Sequence, residues 1–340
     1  MHGCIGLGSP RLTMPPPVLT LRYVLDLARL ERVNLHRTPW GQLLMAQILR
    51  LDYRFPRRTE IVLEGTEHLE PGQSYILAMN HTDRYNYWPF QYQLSRQRLG
   101  YTATWVKGKY YENPFIAAFM DAMNNIPLPS RGYVITTRFR EAVGRVPSDE
   151  EYRALRGLAD GELAEAASAL ARAVGDMTAF LRDFAEVFDR MIDQVMRLNR
   201  QALEFGQHLL VFPQGTRSVC LSRGHIGVAQ VAQHLGVDIV PVGCNGSNLV
   251  YPGSGPFARG GRIVYRIGKP LRLDGSELRD YRVTTPFRPF TLEAGVHREA
   301  FQGMTTVVMD HINELLDPAY QYADERASDG VRGMDRFLST

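Results

Sequence analysis

Lysine is nearly missing. Across 340 residues it stands only at positions 107, 109 and 269, and arginine supplies the rest of the 39 basic residues. Any site that grips a phosphate must therefore be built mainly of arginine, whose rigid planar fork suits phosphate oxygens. Cysteine is as scarce. Cys4, Cys220 and Cys244 are too widely spaced for a disulfide framework or a zinc knuckle, which fits a reducing compartment. The formal net charge is only +3, so a nucleic-acid partner is not implied. No stretch approaches the roughly 20 apolar residues needed to cross a bilayer. The opening MHGCIGLGSPRLTMPPPVL has neither the charged n-region nor the apolar h-region of a signal peptide. The expectation is a protein that is soluble or attached to a membrane surface. What is present is ordinary globular composition, 44% hydrophobic and 22% charged, in a chain long enough for one large core or a core plus a smaller domain.

Residues 18–33 have helical periodicity, with Leu21, Val24, Leu25 and Ala28 along one side. A second helix over about 39–51 begins near Pro39 and carries Leu43, Leu44, Ala46, Ile48 and Leu49. Two readings stay open for this pair: a hairpin packed on the core, or a shallow membrane anchor flanked by Arg50, Arg54, Arg57 and Arg58. From residue 60 strand candidates alternate with helices. Strands are expected near 60–65, 75–79, 101–106, 209–212, 238–242 and 262–267; helices are expected over 84–97, 113–123, 225–235 and 298–316. Between them, 149–205 is dominated by helical signal, and alanine-rich 137–170 reads as an inserted elaboration. The alternation argues an α/β fold, a mixed sheet covered by helices. The expected organisation is an N-terminal helical segment (1–58), an α/β domain (59–285) with a helical insertion at about 137–205, and a C-terminal helix with a polar tail (286–340).

Four short segments carry chemistry-bearing residues beside turns: NHTDRYN (80–86), NNIPLPSR (124–131), FPQGTRS (212–218) and VPVG (240–243). In open α/β sheets ligands collect beyond the carboxyl ends of the strands, so such turns can bring His81, Arg131 and Arg217 into one pocket. Each also has a plainer reading. His81 is a general base or a structural hydrogen-bonder. Asp83 is first of all a cap for the free N–H groups of a helix, and otherwise a partner for His81. Arg131 and Arg217 are phosphate ligands or ordinary ion-pairing residues, and Gly215 most simply permits a tight turn.

Together these segments resemble the glycerophospholipid acyltransferase family. The family motif Asn-His-x-Ser-x-x-Asp is met by NHTDRYN, Phe-Pro-Glu-Gly-Thr-Arg-Ser by FPQGTRS, and Ile-Val-Pro-Val by IVPV at 239–242, with IGKP following at 267–270. The lead-in VLEGTEHLEPGQSYILAMNH shares the family's habit. The motif Gly-x-Ile-Phe-Ile-Asp-Arg is matched poorly, since NNIPLPSR keeps Ile126 and Arg131 but is one residue longer and lacks the glycine. The resemblance covers roughly 60–285. It implies a glycerolipid acyltransferase-like fold and acyl transfer from an acyl-CoA or acyl-carrier-protein thioester to a hydroxyl, glycerol 3-phosphate or its monoacyl form being the default acceptor. By the same resemblance His81 is the base, residue 86 its orienter, and Arg131, Gln214, Gly215, Thr216 and Arg217 the acceptor-binding set; no bound cofactor or metal is implied. Lys107 and Lys109 are candidates to meet an acidic carrier protein. The location implied is cytoplasmic, peripheral on the inner face of a membrane.

Two acids of the family pattern are amides here, Asn86 and Gln214. Asn86 can hold the useful tautomer of a histidine but brings no charge to favour the imidazolium. In serine proteases the comparable Asp-to-Asn change costs about 10⁴ in kcat, partly through the wrong tautomer. Asp83 stands where the family has serine and is a carboxylate that could compensate. Gln214 cannot neutralise neighbouring arginines, which favours an anionic acceptor. The paired changes also leave open a scaffold that binds lipid or an acyl carrier with weakened or no catalysis.

Overall fold

A computed structural model describes residues 25–161, 167–323 and 326. Cys4, Leu21, Val24, the start of the helix expected over 18–33 and most of the polar tail lie outside them. Seven strands build one sheet: β1 (Thr59–Glu64), β2 (Ile76–Met79), β3 (Thr102–Lys107), β4 (Asn125–Leu128), β5 (His208–Val211), β6 (Ile239–Asn245) and β7 (Gly261–Ile267). Their spatial order is β1-β7-β6-β2-β5-β3-β4. Every neighbouring pair is parallel except β6 and β7. The fold is α/β, a mixed sheet with helices against it.

Burial explains why the central strands read as unbroken apolar runs. Every residue of β2, β5 and β6 is buried, as expected where helices cover both faces of a sheet. Pro241 lies within β6, where a missing N–H would ordinarily break the ladder. Its carbonyl accepts from Gly268 N–H at 2.8 Å, so the absent N–H faces the gap between the last β6–β7 pair, Val242 with Ile267, and the isolated Ile239–Leu271 bridge. β4 is the element the sequence concealed. Asn125–Leu128 pairs along β3 at the sheet edge, a place that tolerates Pro127.

Among the helices, α1 (Leu27–Arg32) lies on α8 (Met177–Glu204), while α2 (Trp40–Asp52) lies on α3 (Tyr87–Gln97) and α4 (Pro114–Ala122). Gly41 allows the approach of α2 to α4, since a Cβ there would collide with the Ala122 carbonyl. The apolar residues expected along α2 divide: Ala46 and Leu49 are buried, whereas Leu43, Leu44 and Ile48 are exposed. Between β4 and β5 run α5 (Arg131–Val143), α6 (Asp149–Ala159), α7 (Ala167–Val174) and α8. A Ser148/Glu151 capping box starts α6 and Asp176 caps α8. Phe180, Phe184, Phe188 and Ile192 on α8 recur every four residues and are buried in the core. After β5 come α9 (Gly227–Leu235), α10 (Ser247–Val250), α11 (Leu292–Gly295) and α12 (Arg298–Glu314). Among the described residues no helix is long and apolar enough to cross a membrane.

Candidate active site

A cavity of about 2030 Å³ opens beyond the carboxyl ends of β2, β3, β4 and β5, and His81, Arg131 and Arg217 all line it. Strand ends are where the backbone leaves the ladder, so each strand delivers its next residues into the same space. Leaving β2, Asn80 does not enter solvent. Its side chain accepts from Cys244 N–H at 2.7 Å and donates to Cys244 O at 3.0 Å, as a peptide group would. The next backbone N–H, that of His81, donates to Gln214 Oε1 at 2.8 Å, and His81 O accepts from Ser218 N–H at 2.8 Å. The loop that bears His81 is therefore clamped to β6 on one side and to the FPQGTRS turn on the other.

The imidazole is held as firmly. Its Nδ1 lies 3.1 Å from Asn86 Oδ1, and its ring stacks on Phe212 with centroids 4.2 Å apart. Asn86 is fully buried, and its Nδ2 donates to Asn80 O at 2.8 Å. With the amide nitrogen committed to a carbonyl, the amide oxygen must face the ring, so Nδ1 carries the hydrogen and Nε2 keeps a free lone pair. Tyr265 completes the support, its hydroxyl donating to Asn86 O at 2.5 Å. Burial pushes the His81 pKa down to about 3; the bond to Asn86 works the other way, while the charges of Arg217 and Lys107 add to the fall. Part of His81 still meets the cavity, where water offsets some of this burial, and the downward direction governs the chemistry. The histidine is neutral at ordinary pH.

Asp83 is brought close but is turned elsewhere. Its Oδ1 accepts from Tyr85 N–H at 2.8 Å and its Oδ2 from the Thr82 hydroxyl at 3.0 Å. These bonds fix the turn that leads into α3, whose N-cap is Asn86 rather than Asp83. Burial raises the Asp83 pKa. Gln214 is also an internal strut: it is buried, and its Nε2 donates to Ser222 Oγ at 3.1 Å while its oxygen serves His81. Gly215 has φ +67°, and a Cβ there would stand 2.7 Å from His225 Cδ2, so both conformation and space require glycine. Thr216 and Arg217 line the cavity just beyond. Arg217 forms no salt bridge among the described residues.

Arg131 reaches the cavity from the first turn of α5, whose cap is Ser130. It does not arrive free. Its Nη2 meets Asp160 Oδ1 at 3.1 Å and Ala159 O at 2.9 Å, and its guanidinium lies over the rings of Phe184 and Phe188 at 5.3 and 5.4 Å. Burial lowers its pKa, against which Asp160 acts, and it stays cationic. Lys107 and Lys109 line the same cavity. Sequence reasoning missed Asp160, which follows α6 in a segment with no motif. It also missed Asn80 and Phe212 as supports, although both stand inside the quoted motifs. Among the described residues no group of three or more His, Cys, Asp or Glu could hold a metal ion.

Residues 60–245, more than half of the chain, match the family model described as acyltransferase. The chain belongs to the acyltransferase family. The chain is similar to the crystal structure of the 1-acyl-sn-glycerophosphate (LPA) acyltransferase PlsC from Thermotoga maritima, at 16% identity and a TM-score of 0.37 over 84% of this chain and 86% of that one. No curated protein matches the chain. Residues of the motifs at β2, β4 and β5 line the cavity, whereas none of VPVG (240–243) in β6 does; family membership leaves donor, acceptor and rate to the residues present.

Proposed function

We propose that this acyltransferase moves an acyl group from an acyl-CoA or acyl-carrier-protein thioester to a hydroxyl of a glycerol-phosphate-like acceptor, with His81 as general base. The observation that carries the reading is the Asn86–His81 hydrogen bond, which leaves Nε2 unprotonated in a cavity that also receives Arg217 and Arg131. The acceptor hydroxyl attacks the thioester carbonyl as its proton passes to Nε2. The tetrahedral oxyanion collapses, the C–S bond breaks, and the imidazolium returns the proton to the departing thiolate. An ester and a free thiol result, and no acyl-enzyme forms. The acceptor's phosphate on Arg217 positions the hydroxyl. That phosphate also offsets one of the cationic charges that depress His81, so acceptor binding makes the base stronger. Trp88, Ile116, Phe119 and Met120 give the cavity an apolar side suited to the acyl chain. Lys107 and Lys109 lie where an acidic carrier or the phosphates of CoA would pass. A membrane surface is the second partner, because a lipid acceptor lives there and α2 carries exposed apolar residues.

Thioester cleavage measured with and without candidate acceptors tests the chemistry. Acceptor-stimulated thiol release that falls by about 10³ in His81→Ala is expected; no stimulation by any acceptor would sink the proposal. A second reading, a scaffold that binds lipid or acyl carrier with weakened or no turnover, is favoured by the missing charge at Asn86 and by the Asp160 carboxylate on Arg131. It predicts retained acyl-CoA binding with no thiol release.

A further inference from the structure

Outside the active-site cavity, a second pocket of about 310 Å³ lies between α2, β1 and α3. Its size is at the low end of ligand pockets, enough for one headgroup. Four arginines line it: Arg50, Arg54, Arg58 and Arg96. None of the four takes part in a salt bridge among the described residues, and no carboxylate lines the pocket. Like charges gathered without an acid repel one another, so an anion from outside would stabilise the cluster. Arg96 is set in place by the ring of Tyr92, its guanidinium 5.5 Å from the centroid and its Nη1 donating to the hydroxyl at 2.9 Å. In the pocket wall Thr59 is 8% exposed, and its hydroxyl has no hydrogen-bond partner. Arginine forks with a spare hydroxyl are the groups that bind a phosphate.

What lies beside the pocket indicates where the phosphate comes from. On α2, Trp40, Leu44, Ile48 and Leu51 recur at spacings of four, four and three, and all are exposed, Leu51 by 72%. They form one outward stripe, and Arg50 and Arg54 flank it at the C-terminal end of the helix. An apolar stripe with cations along its edge has the charge and polarity of a lipid interface turned inside out.

We propose that this pocket holds the phosphate of an anionic phospholipid headgroup while the α2 stripe rests among the acyl chains. The proposal rests on the membrane-surface part of the proposed function and on none of its chemistry. The test is co-sedimentation of the full chain with phosphatidylcholine vesicles, with and without phosphatidylglycerol. Each basic residue near an anionic surface is worth roughly fivefold in affinity, so Arg54→Ala/Arg58→Ala should lose roughly 25-fold on the phosphatidylglycerol vesicles. Arg272→Ala/Arg279→Ala removes the same net charge from exposed arginines elsewhere and should lose much less. Arg54→Lys/Arg58→Lys keeps charge without the fork and should fall between wild type and the alanine pair. Ile48→Ser/Leu51→Ser should weaken binding to both vesicle types alike.

Equal binding of wild type and Arg54→Ala/Arg58→Ala to phosphatidylglycerol vesicles would overturn the proposal, as would equal losses in the two alanine pairs. Calorimetric titration with inorganic phosphate separates the sources. Tight binding of inorganic phosphate, lost in the alanine pair and accompanied by no preference for anionic vesicles, would assign the pocket to free phosphate instead. Thiol release from soluble short-chain substrates should be unchanged in the alanine pair. Absence of that release from wild type would count against the catalytic reading and leave the vesicle result standing.

Discussion

The two sides of the active-site cavity are built on different principles. On the His81 side, side-chain amides do the work of backbone: Asn80, Asn86 and Gln214 all bond to peptide groups or to the ring they orient. On the Arg131 side, a cation is held by an acid from the inserted helices and by two phenylalanines of α8. The first arrangement sets geometry through neutral groups, beside the Arg217 and Lys107 charges that depress the His81 pKa. The second places charge and then cancels much of it. On the proposed reading, the base is set by neutral groups gathered from β2, β6 and the turn after β5, whereas the acceptor contact offered by Arg131 is tempered by an acid from the inserted helices.

The sharpest way to break this contrast is His81→Ala. A positioned general base contributes about 10²–10⁴-fold, so thiol release should fall by about 10³ with thermal unfolding little changed. Asn86→Ala should cost less, about 10²-fold in kcat, with little effect on KM, because the ring loses its tautomer lock but keeps the Phe212 stack. A KM change without a kcat change there would contradict the division of roles. Gly215→Ala probes the turn between the two sides. Its φ of +67° and the nearby His225 ring predict destabilisation of about 1–2 kcal/mol, visible as a lower Tm. Asp160→Ala should act in the opposite sense. Freeing Arg131 from a partly exposed ion pair should lower the KM of a phosphorylated acceptor roughly fivefold at constant kcat. An unchanged or raised KM would mean that Arg131 does not meet the acceptor.

The smallest expected effect is an absence. Because the His81 pKa in the folded protein is lowered toward 3, the ring stays neutral as pH falls through its ordinary value of 6.5 and protonates only near the lowered value. The free-enzyme profile, kcat/KM against pH, should lack the usual acid limb near 6.5 and remain flat down to at least pH 5. A limb centred near 6.5 would show that water, not burial, governs the ring.

The His81–Asn86 part of the site was legible in the sequence because its geometry is local, unlike the clamps to Gln214 and Cys244. His81 and Asn86 are five residues apart across a strand-to-helix turn, and FPQGTRS places a glycine where positive φ is required. Asp83 shows the limit of such reading: spacing allowed a partner for His81, and only the directions of its two oxygens reveal a turn. Strand β4 was hidden because Pro127 and a four-residue length suppress the usual strand signal, although an edge strand accepts both. The outward stripe of α2 was equally hidden, since a helical period marks an apolar face without saying what covers it. Asp160 could not be foreseen at all. Its contact with Arg131 spans 29 positions and depends on how an alanine-rich insertion folds back.

The paired bonds between Asn80 and Cys244 have a kinetic consequence. A loop that carries a reactive side chain ordinarily opens many times before the sheet beneath it does, and its amides exchange with solvent on that faster clock. Here the Cys244 N–H ends on Asn80 and the His81 N–H on Gln214, so both hydrogens are locked behind buried side chains. In deuterium these two amides should keep time with β2 and β6 rather than with the surface. Breathing of the His81 loop then requires partial unfolding of the core.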